Sequence, residues 1–201
     1  NIVSYRSPSQ ADIPGSESSS LVEWFVRGSR SITEKAEWPV AGEAVTAMPA
    51  NARDWLFDSG SLTARLKTLS EGKFAVEVVD ESWLVFPELR FRSRFGPVAP
   101  EHRFWSRRVV LLGNGVPWVF ANTLIPTHSL GGDLEQIIRL GTRPLGEYLF
   151  SQPELSRSEI EIKEIAEQSW GRRSWFFLNA KPVLVAEYFL PALLRQIPPK
   201  A

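Results

Sequence analysis

Beyond Gly72 the chain alternates: Phe74, Val76 and Val78 are interleaved with Ala75, Glu77 and Val79, the period-two pattern of a half-buried strand. Two further β-rich runs, Phe104 to Leu112 and Trp118 to Ile125, flank Gly113-Asn114-Gly115, which supplies positive φ at little steric cost and predicts a hairpin. Ile160, Ile162 and Ile165 among charged neighbours, then Ser174 to Leu178 and Val183 to Leu190, predict three more strands. Asn179-Ala180-Lys181 closes the last two into a second hairpin. Connections this short make the sheet mainly antiparallel. Elsewhere the period lengthens. Trp55, Leu56, Leu62, Leu66 and Leu69 recur near helical spacing on either side of Asp58-Ser59-Gly60-Ser61, predicting two short helices around a turn. Asp133 to Leu140, bracketed by Gly131-Gly132 and Gly141, and Leu145 to Phe150 predict helical pieces lying over the sheet. The expected fold class is α+β, one domain built on an antiparallel sheet.

The pattern fails at the start of the chain. Residues 7 to 20 are rich in turn formers, serine above all, and poor in large apolar groups, so they cannot offset their own ordering entropy and are expected to form a mobile linker. Leu21 to Arg27 is apolar enough to dock, on a partner the sequence does not name. Residues 1–45 thus stand as an N-terminal extension, partly flexible linker, before a domain over residues 46–201.

Charge and composition narrow the functions. Lysine plus arginine and aspartate plus glutamate both total 23, so no net field draws the chain to nucleic acid or an anionic membrane. Cysteine is absent, which removes disulfides, thiolate nucleophiles and thiolate metal sites. With only His102 and His128, a multi-histidine metal centre is impossible, and a chemistry without cofactor or metal is expected. The most apolar stretch, Val183 to Leu194, is interrupted by Glu187 and Pro191 and is shorter than the ~20 residues of a membrane span. No secretory signal is visible, so the plain expectation is a cytoplasmic protein.

Familiar motifs do not survive inspection. Gly113-Asn114-Gly115 lies in a hairpin and lacks a dinucleotide-loop spacing, and no Gly-x-Ser-x-Gly elbow occurs. Arg90-Phe91-Arg92-Ser93-Arg94-Phe95 interleaves cations with aromatics as single-strand binders do, but alternation alone puts the arginines outward and the phenylalanines inward. More informative is a charge on an otherwise apolar strand face. One face of the first hairpin carries Trp105, Arg107, Val109 and Leu111; one face of the last strand carries Val183, Val185, Glu187 and Phe189. A desolvated charge needs a partner. Either Arg107 and Glu187 bond each other as a buried pair, the reading the pattern alone favours, or they line a cavity for a small anion. In that cavity Arg107 would grip a carboxylate and Glu187 would meet a hydroxyl or exchange a proton.

Five blocks in order, Phe104-Trp105-Ser106-Arg107, Gly115-Val116-Pro117-Trp118, Arg143-Pro144-Leu145-Gly146-Glu147-Tyr148-Leu149-Phe150, Trp170-Gly171-Arg172-Arg173-Ser174 and Glu187-Tyr188-Phe189-Leu190-Pro191, resemble the chorismate lyase family. The likeness extends back through Asp54-Trp55-Leu56 and Gly60-Ser61-Leu62-Thr63, covering roughly residues 50 to 192. It implies an antiparallel sheet whose helical flaps close over an internal site. It also implies cofactor-free conversion of chorismate to 4-hydroxybenzoate and pyruvate, feeding ubiquinone biosynthesis, by a cytoplasmic monomer. Carried over by position, the arginine for the ring carboxylate is Arg107, backbone contacts fall on Leu145 and Leu62, and the carboxylate at the hydroxyl end is Glu187. Arg172, Arg173 or His128 would neutralise the enolpyruvyl carboxylate; if the arginines lie in a strand, at most one of them reaches the site. Ala186 beside Glu187, and Arg108 beside Arg107, depart from some members and point to different local electrostatics. The alternative from another class is a non-catalytic ligand-sensing domain of the same fold, which would need a basic DNA-binding segment that the Ser-rich N-terminal stretch does not resemble.

Overall fold

The computed structural model describes residues 21–27, 38–39, 48–86, 91–166 and 169–198. The expected linker over residues 7–20 and Arg90 lie outside these. Seven strands form one antiparallel sheet: β1 (Phe74–Val85), β2 (Arg103–Gly113), β3 (Val116–Pro126), β4 (Leu155–Arg157), β5 (Glu161–Ala166), β6 (Ser169–Leu178) and β7 (Lys181–Phe189). Their order is β1-β2-β3-β7-β6-β4, with β5 also pairing with β6. The two expected hairpins, β2/β3 and β6/β7, are therefore laid edge to edge through β3 and β7.

Both faces of the sheet are covered, which is why β2, β3 and β6 are buried at nearly every position instead of at every second one. On one face the helix over residues 21–27, here α1, places Leu21 and Phe25 against Phe120 and Tyr188, and Phe25 stacks on Phe120 with ring centres 5.2 Å apart. The unnamed partner of Leu21 to Arg27 is thus the back of the sheet. Phe91 and Phe95 are buried on this face too, while Arg94 stays exposed and pairs with Glu161, matching the outward-arginine reading of that segment.

Short helices stand over the other face: α2 (Ala50–Leu56), α3 (Leu62–Leu69) and α4 (Leu145–Phe150), with a 3-10 segment over Gly132–Arg139 and a terminal α5 (Pro191–Gln196). The segment expected as helix from Asp133 is a 3-10 helix, whose Leu134 and Ile137 pack with Ile125, Phe176 and Val183. α3 is capped by the Ser61 hydroxyl, which accepts from the Ala64 amide at 3.3 Å.

Two irregularities lay out the site face. In β1 the pairing slips between Val78 and Asp80, so Val79 is an extra residue. The slip transfers side-chain parity from Val76 and Val78 to Glu81, setting Glu81 directly opposite Arg107. In β2, Gly113 is required by contact: a Cβ there would lie 2.2 Å from the Trp118 ring.

Both hairpin turns hold their two central residues at positive φ, Asn114 and Gly115 in the first, Asn179 and Ala180 in the second. Ala180, at φ 62°, is the one without glycine or asparagine character. Replacing Ala180 with glycine is expected to stabilise the protein by about 1 kcal/mol, after the greater freedom of the unfolded glycine is deducted. A higher midpoint in thermal and urea unfolding, with unchanged m-value, checks it.

Candidate active site

A cavity lies between the sheet and the N-terminal ends of α3 and α4. Its floor is laid by strand alternation. Arg107, Val109 and Leu111 come from β2, Ala121 and Thr123 from β3, Val185 and Glu187 from β7, and Arg172 and Phe176 from β6. Gly60, Leu62 and Thr63 form one flap and Pro144 to Gly146 with Leu149 and Phe150 the other.

Pairing register explains why the two charges read from the sequence do not bond each other. Arg107 pairs with Thr123 and Glu187 with Ala121, so the two sit two strands and one pleat row apart, about 10–12 Å between backbones. The strand between them carries only the small side chains of Ala121 and Thr123, which leaves space above it. Each charge has a nearer partner. Arg107, 2% exposed, pairs with Glu81, and its Nη2 donates to the carbonyls of Gly141 at 2.7 Å and Arg143 at 3.3 Å. Glu187 Oε2 accepts from Arg172 Nε at 2.6 Å. The buried-pair expectation for Arg107 and Glu187 is thereby corrected; both are cavity residues, each held by a different neighbour.

Arg172 is nearly buried and its Nη1 donates to the carbonyls of Trp55 at 3.0 Å and Asp58 at 2.8 Å, pinning the turn between α2 and α3 to the sheet. Asp58 closes that turn by accepting from the Gly60 amide at 2.7 Å and Arg65 at 2.7 Å. Burial pushes the Asp58 carboxyl up, but these two bonds outweigh it and hold the group below the usual carboxylate range.

The remaining candidates separate cleanly. Arg173, one residue on, faces the other side, where its Nε donates to Glu161 at 2.5 Å and its guanidinium lies against Phe91. His128 sits in an exposed turn, its Nδ1 3.3 Å from His102 Nε2, away from the cavity lining. Burial, and then the His128 ring, lower the His102 pKa. Arg108 and Ala186 also belong to the far face, Arg108 bonding the Val26 carbonyl, so neither touches the cavity directly. Among the described residues no group of three or more histidines, aspartates or glutamates is placed to hold a metal.

Two cavity neighbours escaped the sequence reading. Glu81 became a partner only through the β1 slip. Arg157 comes from β4, three residues long, too short to show a period. Its Nε donates to Ser174 Oγ at 2.9 Å and its Nη1 to the Ser59 carbonyl at 3.1 Å. Burial, and then repulsion from Arg172, push its pKa down to about 10, against the pull of Glu187 and Asp58.

The flaps meet where Gly146 lies on Thr63: a Cβ at Gly146 would fall 2.7 Å from the Thr63 hydroxyl. Lys67 of α3 and Glu147 of α4 pair across the same seam. Leu145 and Gly146 open α4, whose first turn has no side-chain cap, and both residues line the cavity. Gly146→Ala is expected to wedge the flaps apart, weakening ligand retention by about tenfold while the back-face core keeps the fold. Ligand dissociation rates and the unfolding midpoint, measured side by side, check it.

The chorismate lyase family profile matches residues 32–197. A probable chorismate pyruvate-lyase of Pseudomonas aeruginosa (strain UCBPP-PA14) is 40% identical over 171 residues, covering 80% of this chain and 94% of the relative. The chorismate pyruvate-lyase of Serratia proteamaculans (strain 568) is 40% identical over 162 residues, covering 81% and 90%. Among solved structures, the C-terminal domain of the histidine utilization repressor from Pseudomonas syringae pv. tomato str. DC3000 is similar over 59% of this chain and 92% of that one, with 10% identity and a TM-score of 0.45.

Proposed function

This chain belongs to the chorismate lyase family, and from that premise we propose that its cavity eliminates pyruvate from chorismate and leaves 4-hydroxybenzoate, the aromatic acid from which ubiquinone is built. The observation that carries the reading is the placement of Arg107 and Glu187 at two ends of one flap-covered cavity, with small side chains between them.

A flat ring with a carboxylate at one end and a hydroxyl at the opposite end fits that spacing. Arg107 has five N–H donors and spends three on Glu81, Gly141 and Arg143, which leaves two for the ring carboxylate. The backbone amides of Leu62 and Leu145, which open α3 and α4 on the flaps above, add donors for the same anion. Glu187, held by Arg172, accepts from the C4 hydroxyl and fixes the ring's rotation. In the reaction the C4–H and the C3–oxygen bonds break. The hydrogen ends on the enolpyruvyl methylene carbon, the ether oxygen becomes the ketone of pyruvate, and the ring becomes aromatic. Aromatisation supplies the driving force, so the protein's part is to orient the substrate, stabilise charge on the departing oxygen and exclude water. Flaps that seal the ring also retain the product, which makes release the slow step.

Incubation with chorismate is expected to yield 4-hydroxybenzoate and pyruvate in equal amounts, followed by chromatography, and Arg107→Ala is expected to remove both. Tight 4-hydroxybenzoate binding without turnover would favour a sensor over an enzyme. Glu187→Gln keeps the hydroxyl contact and cannot take a proton. A fall in kcat of about a hundredfold or more marks Glu187 as a proton-transfer group, and near-normal kcat marks an orienting one, with the hydrogen passing within the substrate.

A further inference from the structure

Three guanidinium groups reach the cavity wall, and two are answered by carboxylates: Arg107 by Glu81 and Arg172 by Glu187. Arg157 has no ion pair among the described residues. Its bonds go to the neutral oxygens of Ser174, Asp58 and Ser59, its plane lies over the Phe176 ring at 4.8 Å, and its buried Nη2 has no hydrogen-bond partner. With a pKa near 10 it remains a cation at neutral pH. A desolvated cation with an unmet donor is costly unless an anion arrives to meet it.

The position of this charge decides which anion. Arg157 Nη1 and Arg172 Nη1 both donate to the Asp58 carbonyl, and Arg172 is paired with Glu187, so Arg157 stands at the hydroxyl end of the cavity, away from the Arg107–Glu81 pair. In chorismate the enolpyruvyl ether is attached at C3, next to the C4 hydroxyl and meta to the ring carboxylate on C1. A substrate with its ring carboxylate on Arg107 and its hydroxyl on Glu187 therefore carries its second carboxylate toward the Arg157 end. The geometry points to Arg157 as the residue that binds the enolpyruvyl carboxylate, a specificity-determining contact for a dicarboxylate substrate. This assignment rests on the lyase reading and replaces Arg173 and His128, which face elsewhere, and Arg172, whose charge Glu187 already answers. The contact exists for the substrate and for departing pyruvate, and not for 4-hydroxybenzoate, which keeps only the ring carboxylate.

Two unreactive or product ligands isolate the contact without turnover: 3-(1-carboxyvinyloxy)benzoate, an aromatic dicarboxylate with the enolpyruvyl ether meta to its carboxylate, and 4-hydroxybenzoate. Calorimetric titration of wild type and Arg157→Gln is expected to show a loss of about tenfold or more for the dicarboxylate and a change within about threefold for 4-hydroxybenzoate. Retained 4-hydroxybenzoate binding also reports an intact cavity. Arg157→Lys, which keeps the charge without the forked donors, is expected to fall between the two proteins for the dicarboxylate. Equal losses for both ligands, or undiminished dicarboxylate binding in both variants, overturn the assignment. Turnover of chorismate by the wild type is scored separately, so a failed lyase reading is distinguishable from a failed Arg157 contact.

Discussion

Three arginines on one sheet face are the constraint to which the rest of the molecule answers. Arg107 and Arg172 are buried and Arg157 is half-buried, and each recovers much of its lost hydration from backbone carbonyls of the segments that lead into the flaps. Arg107 holds Gly141 and Arg143 ahead of α4, while Arg172 and Arg157 hold residues 55 to 59 ahead of α3. The same bonds that satisfy the charges therefore hang the flaps over the cavity. Replacing Arg107 or Arg172 with an apolar residue would remove a cation and release a hinge together, so positioning and binding are not separable at those two positions.

The sheet acts as a ruler for this arrangement. Strand spacing and the two-residue pleat set the distance between Arg107 and Glu187, and the small side chains of Ala121 and Thr123 keep the interval open. The back face supplies the rigidity. α1, Trp38 and the aromatic cluster around Phe95, Phe104 and Trp175 bury the other side of the same strands, so a cavity on the front does not leave the sheet half-covered.

Legibility in the sequence followed the length of each signal. The hairpins could be read because Asn114-Gly115 and Asn179-Ala180 punctuate long β-rich runs, and Arg107 and Glu187 could be read because one charge on an apolar period-two face is conspicuous. The opposite facing of Arg172 and Arg173 followed from alternation once a strand was assumed. The partners were not readable. Glu81 meets Arg107 only because one extra residue at Val79 reverses the parity of β1, and a single-residue slip leaves no pattern in composition or period. β4 is three residues long, too short for any period to single out Arg157. Adjacency of β3 and β7 is a tertiary fact, and without it the distance between Arg107 and Glu187 is undefined, which is why a direct pair was the expectation.

The central claim is that ligand binds between the Arg107–Glu187 face and the two flaps and is sealed there by them. Amide hydrogen exchange with and without saturating 4-hydroxybenzoate measures this directly. The account predicts slowed exchange over residues 60–64 and 143–150, with α1 and the strand edge at β1 unchanged. Unchanged flap amides under saturating ligand, or protection confined to the back face, would contradict it.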